Sequence, residues 1–367
     1  MKQLNTFRSF LTAVAFSVAA FIFSGCDEEK IDPVIETEVR GPYDQKGVFI
    51  INEGNFGTPS GSISFLSDST GHTVQNGIFK KANNDRPLGD VIQDMALFEG
   101  KALIVANNSN KLEVVNAYTF KTEGVVNLKQ PRYVAVLNAD KAYVTEWVKY
   151  GDPGQVSVIN LKTYTVSKTI PVGQLPEQLK IVNGKLYVAV SGENKVVVID
   201  TATDAIEKSI PASDSPRELE VDNRNNLWVL SAGKTVYNPD WTVDYTNSTA
   251  GALSTINTVT GIVSATYTFG SNQSSPANLA ANGTKDKLYF TYQGKTYMQQ
   301  SNANSLTNTV VLSRSFSGLG IDPETGNIYG SDNNGFSGDG TVFIYKPDGS
   351  KVNEFKVGIG PNGFVFN

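Results

Sequence analysis

From residue 46 onward, apolar and polar positions alternate in short bursts, and no stretch keeps a helical period for long. Runs of four to six residues rich in Val, Ile, Leu, Tyr and Phe are separated by Gly, Asn and Pro, which is the pattern of short strands joined by tight turns. The clearest unit is "PEQLKIVNGKLYVAVSGENKVVVIDTATDAIEKSI", from Pro176 to Ile210. It divides into four predicted strands, roughly Gln178 to Val182, Lys185 to Val190, Lys195 to Ile199 and Ala205 to Ile210, with an Asn-Gly turn between the first two. Similar units open at Pro131, Pro216 and Pro276, at intervals of about 40 to 60 residues, and others start without proline near Leu88 and Ser315.

A four-stranded unit recurring at this period predicts an all-β β-propeller, and six full blades can be counted. The N-terminal part adds only three strands ("VFIIN", "SISFL", "TVQNGIF"), while the C-terminal "GIGPNGFVFN" looks like an opening strand with nothing after it. Pairing the C-terminal strand with the N-terminal blade makes a seventh blade and closes the ring, which removes the free sheet edges an open array would leave. The expected domain spans residues 46–367.

The first 26 residues have a different pattern. Lys2 and Arg8 precede an apolar run from Leu11 to Phe23 and then "FSGC", the layout of a lipoprotein signal peptide with Cys26 as the lipid-attachment residue. The run is too short to be a permanent span. Residues 27–45, "DEEKIDPVIETEVRGPYDQ", are acidic and proline-containing, and read as a flexible tether whose ends would lie on the order of 25 Å apart. The acidic run after Cys26 resembles the signal that sends lipoproteins to the outer face of the outer membrane in one group of Gram-negative bacteria. A competing rule from another group, that Asp after the cysteine retains the protein at the inner membrane, points the other way. The expectation is an outer-membrane, lipid-anchored protein facing the cell exterior.

The repeat "KLYVAVSGENKVVVIDTATDAIEKSIP" resembles that of the YncE-like, or YVTN-type, seven-bladed propellers. "VFIINEGNFG" followed by "LGDVIQDM" resembles a narrower set of lipid-anchored surface propellers that includes the BtuG-type cobalamin-binding proteins. The second resemblance implies a corrinoid ligand and hand-off to an outer-membrane TonB-dependent transporter.

The loops carry the strongest functional signal. In a propeller, the turns from second to third strand share a face with the links between blades. That face should hold "NEGNFGTPSG", "EWVKYGDPGQ", "SAGKTVYNPDWTVDYTNSTAG" and "SDNNGFSGDG", bringing Phe56, Trp147, Tyr150, Tyr237, Trp241, Tyr245 and Phe336 around one mouth. Turns on the other face, such as "VNGK" and "NADK", are short and polar. Residues entering the inner strands, Arg132, Glu177, Arg217, Asn278 and Asn362, add polar groups at the same mouth, either to meet a ligand or to pair between blades. The aromatic rings either contact a ligand or fold down to cap the blades.

Counts of residue types limit the chemistry. A net charge of −5 without a basic stripe argues against nucleic acid. The single histidine, His72, is placed away from the mouth, so a Ser-His-Asp triad is not expected, and one His with one Cys cannot build a zinc or copper site of imidazole and thiolate. Paired carboxylates remain possible, with Asp152, Asp240, Asp244 and Asp339 as candidates. The expectation is a non-enzymatic protein without cofactor or metal that binds a small molecule, corrinoid or glycan. The alternatives are a carbohydrate-active propeller and a protein-interaction platform.

Overall fold

The computed structural model describes residues 41–68 and 73–367. Cys26, the signal segment and His72 lie outside them. Among the described residues no helix is long and apolar enough to cross a membrane.

The middle strands explain the architecture. Segments such as Lys101–Ala106 and Lys185–Val190 are buried at every position after the first, because each blade packs a neighbour on both of its faces and its central strands therefore lack a solvent side. The result is seven four-stranded antiparallel sheets whose inner strands succeed one another around a ring. Blades two to seven cover Ile92–Asn127, Pro131–Gln174, Pro176–Pro211, Pro216–Thr268, Ala277–Leu312 and Gly318–Ile359. In blade four the strands are Pro176–Val182, Lys185–Val190, Lys195–Asp200 and Ala205–Pro211, close to the predicted bounds. The turn between the first two places Asn183 and Gly184 at φ of 50° and 73°, the left-handed pair that a two-residue hairpin of this twist requires.

Blade one joins the two ends of the domain. Its inner strand is Pro361–Phe366, paired antiparallel with Gly47–Asn52 so that Val48 faces Phe366 and Ile50 faces Phe364. The Asn367 amide then donates to the Gly47 carbonyl at 3.0 Å. Ring closure by the C-terminal strand is therefore as the repeat predicts.

Two details differ from the sequence expectation. Of "TVQNGIF", only Val74–Gln75 is a strand, whereas Ile78–Ala82 forms a short helix that buries both Ile78 and Phe79. A strand would have sent these adjacent side chains to opposite faces and one of them to solvent. Gly77, at φ 64°, turns the chain so that both go inward. In addition, Tyr43, placed by its surroundings in the tether, is buried with its ring edge-on to Phe65 and Phe120, at 5.5 and 5.6 Å between centroids. The described residues before position 46 accordingly belong to the compact unit.

Candidate functional site

The second-to-third-strand loops and the inter-blade links are hydrogen-bonded to one another, which places them on one face. Gly54 donates to the Ile359 carbonyl at 2.9 Å, Gly57 to the Asp90 carboxylate at 3.0 Å, Trp147 to the Gln130 carbonyl at 3.1 Å and Gly233 to the Asp214 carbonyl at 3.0 Å. The mouth of the ring is thus a surface of anchored loops.

Just inside it runs a continuous ring of ties. An inner strand has a ladder partner on one side only, so its other edge presents backbone groups toward the channel without a strand to meet them. At every junction a side chain bridges to the next blade. Asp94 accepts from the Val134 amide at 2.9 Å, Gln178 from Leu219 at 2.9 Å, and Glu218 from Asn278 and Leu279 at 2.9 and 2.5 Å. Arg132 donates through Nε and Nη2 to Glu177 Oε2, at 3.1 and 3.0 Å, and through Nη1 to Gln93 at 2.6 Å. Asn278 donates to the Phe316 carbonyl at 2.9 Å, Ser317 to the Pro361 carbonyl at 3.1 Å, and Asn362 to the Ile92 carbonyl at 3.4 Å.

Four of the polar residues singled out from the sequence, Arg132, Glu177, Asn278 and Asn362, therefore hold blades together. The fifth, Arg217, is exposed and makes one hydrogen bond, from Nε to Ser215 Oγ at 3.2 Å. Sequence reasoning passed over Asp94, Gln178 and Glu218. Their signal was a polar residue two positions past the start of the inner strand, in blades two, four and five.

Burial governs the electrostatics. Asp94 is pushed up to about 6 by desolvation, which the amides of Val134 and Met95 and the charges of Lys180 and Arg132 offset only in part. Glu218 is raised by burial against the opposing pull of the Leu279 and Asn278 amides. Glu177 is raised by burial despite Arg132, and Glu53 likewise. Burial opposes the charge of Lys180, but Glu220 at 2.9 Å outweighs it and the ammonium is stabilised. From the ties inward the channel holds a cavity of about 950 Å³.

The rings do not form one cluster. Trp147 lies half-buried against the Arg132 guanidinium, whose Cζ stands 4.2 Å from the ring centroid, and meets Tyr150 edge-on at 6.2 Å. Tyr237 and Trp241 pair at 6.4 Å. Phe336 packs against the blade seven to blade one link, so close to Gly360 that an added Cβ there would stand 2.6 Å from the ring. Among the described residues these rings from the mouth pair only within their own loops. Phe56, Tyr150 and Trp241 are 81, 73 and 83% exposed, so they do not cap the blades. Tyr237 and Tyr245 are about half exposed.

The longest loop has its own structure. Val236 to Asp244 forms a small hairpin, with an isolated bridge between Tyr237 and Val243 and the Trp241 amide donating to the Asn238 carbonyl at 2.9 Å. Trp241 occupies the left-handed position after the turn, at φ 65°, where glycine is usual and a bulky ring is strained. Asp240 and Asp244 cap turns within the loop, and their hydrogen bonds to Thr242 and Asn247 hold both carboxyls below the ordinary range. Asp152 pairs with Lys149 at 3.5 Å. Asp339 opens the third strand of blade seven. Among the described residues no cluster of three or more metal-ligating side chains occurs.

The chain belongs to the family described as "Domain of unknown function (DUF5074)", whose model matches residues 46–366. No curated protein matches it in sequence. Among solved structures it is similar to the Kuenenia stuttgartiensis hydrazine synthase, with a TM-score of 0.58 and 18% identity over 74% of this chain and 88% of that one. It is also similar to a quinonprotein alcohol dehydrogenase-like protein from Bacteroides thetaiotaomicron, with a TM-score of 0.63 and 15% identity over 88% of this chain and 78% of that one. At such identities the likeness concerns the fold, and function must be argued from the site.

Proposed function

We propose that the protein is a non-catalytic binding propeller that captures its ligand on the face carrying Phe56, Tyr150, Tyr237 and Trp241. The supporting observation is that large rings stand exposed on loops whose backbones are pinned by hydrogen bonds, since exposed apolar surface of this kind marks interaction sites and a preordered loop loses little entropy on binding. Arg217, not engaged in a tie, adds a cation to the same rim.

The ligand we propose is a corrinoid, on the resemblance of the first blades to lipid-anchored cobalamin binders and on chemistry. A flat corrin offers apolar surface to the rings, and its peripheral amides suit the Asn, Asp and backbone groups of the loops. Lipid attachment at Cys26 and hand-off to a TonB-dependent transporter belong to the same proposal. Mixing purified protein with cobalamin and following the visible spectrum through gel filtration tests it. Co-eluting colour is the expected result. Colour eluting only with free ligand removes the corrinoid, and release of sugars from glycans would favour the carbohydrate-active alternative.

A further inference from the structure

We propose that the axial channel, from the ties inward, is a second binding site, distinct from the exposed rings of the mouth, for a small amphipathic monoamine in its protonated form. The cavity of about 950 Å³ has two unlike walls. Blades two to five line it with Asp94, Tyr133, Gln178, Lys180, Glu218 and Glu220 among aliphatic side chains, whereas blades six, seven and one offer Ala280, Leu319, Ile321, Phe364 and Phe366, with the Lys285 ammonium at the turn of blade six.

The charge on the polar wall exceeds what the fold requires. Lys180 and Glu220 pair at 2.9 Å and cancel. Asp94 and Glu218 each accept backbone amides of the next blade, but Gln178 does the same work at the corresponding position with a neutral amide. A carboxylate is therefore not needed for the tie. Among the described residues neither Asp94 nor Glu218 lies in a salt bridge, and Glu53, just after Gly47–Asn52 of blade one at the mouth end of the cavity, adds a third carboxyl to the lining, all three raised by burial. Partly buried carboxylates whose desolvation Lys180, Arg132 and Arg217 offset only in part gain from a further positive group. An ammonium on this side, with its hydrocarbon body against Leu319, Phe364 and Phe366, satisfies both walls at once. A neutral apolar molecule adds no positive charge to the carboxylates.

Calorimetric titration of the full chain with 2-phenylethylammonium at pH 8, where Asp94 is ionised, tests the proposal. Saturable binding is expected, at least tenfold weaker for the uncharged N-acetyl derivative. The double variant Asp94→Asn, Glu218→Gln keeps both acceptors and should melt as a folded protein while losing tenfold or more in amine affinity. Should that variant fail to fold, Gln178→Glu provides the converse measurement, since a further carboxylate at the repeated position should tighten binding. Absence of binding at millimolar amine, equal binding of the N-acetyl derivative, or unaltered affinity in the double variant or in Gln178→Glu would each overturn the proposal. Trp241→Ala separates this site from the mouth: unchanged amine affinity is expected, and its loss would assign the amine to the mouth and overturn the channel site, whatever cobalamin does.

Discussion

The ties that ring the channel entrance and the loops that rise above them share one face of the propeller, yet they use side chains in opposite ways. In the ring nearly every polar group is committed to a neighbouring blade: Arg132 to Glu177 and Gln93, Asn278 to Phe316, Asn362 to Ile92. In the loops the backbone is committed and the rings of Phe56, Tyr150 and Trp241 are left to solvent. Position near the axis of a propeller is thus a poor guide to ligand contact, because the inner edge must first be satisfied. The residues most available for binding are those the fold does not consume.

Removing Gly360 to Asn367 strikes the structural side of this comparison hardest. It strips the inner strand from Gly47–Asn52 and the rings of Phe364 and Phe366 from Tyr329. Thermal unfolding should show a midpoint lowered by more than about 10 °C or no cooperative transition. A melt like that of the full chain would mean the ring does not depend on this closure.

Next in size is Glu177→Ala. It leaves the Arg132 guanidinium, largely buried under Trp147, without its carboxylate, and breaking such a pair costs about 3–5 kcal/mol. Arg217→Ala, one blade further on, should change stability by less than about 0.5 kcal/mol, because its side chain is exposed. Equal losses in denaturant titration would erase the distinction between committed and available groups.

Asp94→Asn refines it further. The folded-state pKa of Asp94 is raised to about 6 from 3.8, so the native state binds its proton more tightly than the unfolded chain does, and stability falls as pH rises through that window. The amide removes this penalty while keeping an acceptor for Val134. The variant should be more stable than the parent at pH 7.5, by about 1.4 kcal/mol for every pH unit that separates the folded-state and unfolded-state pKa values, and the difference should vanish near pH 4. A variant less stable at pH 7.5 would show that the charge itself holds the blades.

The smallest stability effect belongs to Trp241→Ala. The exposed ring packs only beside Tyr237, so the melting temperature should move by less than about 1 °C. Corrinoid affinity should nevertheless fall at least tenfold, or about 1.4 kcal/mol. A lowered melt with unaltered affinity would return this ring to a packing role.

The fold was legible because its determinants are local and repeated: the Asn183-Gly184 turn, the continuous apolar second strands and the leading prolines each specify a strand end within a few residues. What was hidden depends on neighbours distant in the chain. Whether Asn278 faces a ligand or the Phe316 carbonyl is decided 38 residues away, and no pattern within one repeat encodes it. Tyr43 looked like tether because its neighbours are acidic or proline, although Phe65 and Phe120 supply its pocket. The hairpin under Trp241 escaped notice because its turn places a tryptophan where glycine is the usual signal.

The closure of blade one also imposes an order in time. Gln45 and Asn367, which meet in the folded protein, are separated by 322 residues of sequence. During synthesis the Gly47–Asn52 strand must wait, one edge open, until almost the whole propeller has emerged, and so large a separation between partners slows folding and lengthens exposure to mispairing. A nascent chain halted before Pro361 is therefore an open arc with two adhesive ends, and a chaperone that shields Gly47–Asn52 would act at the point where this protein is most exposed to its own copies.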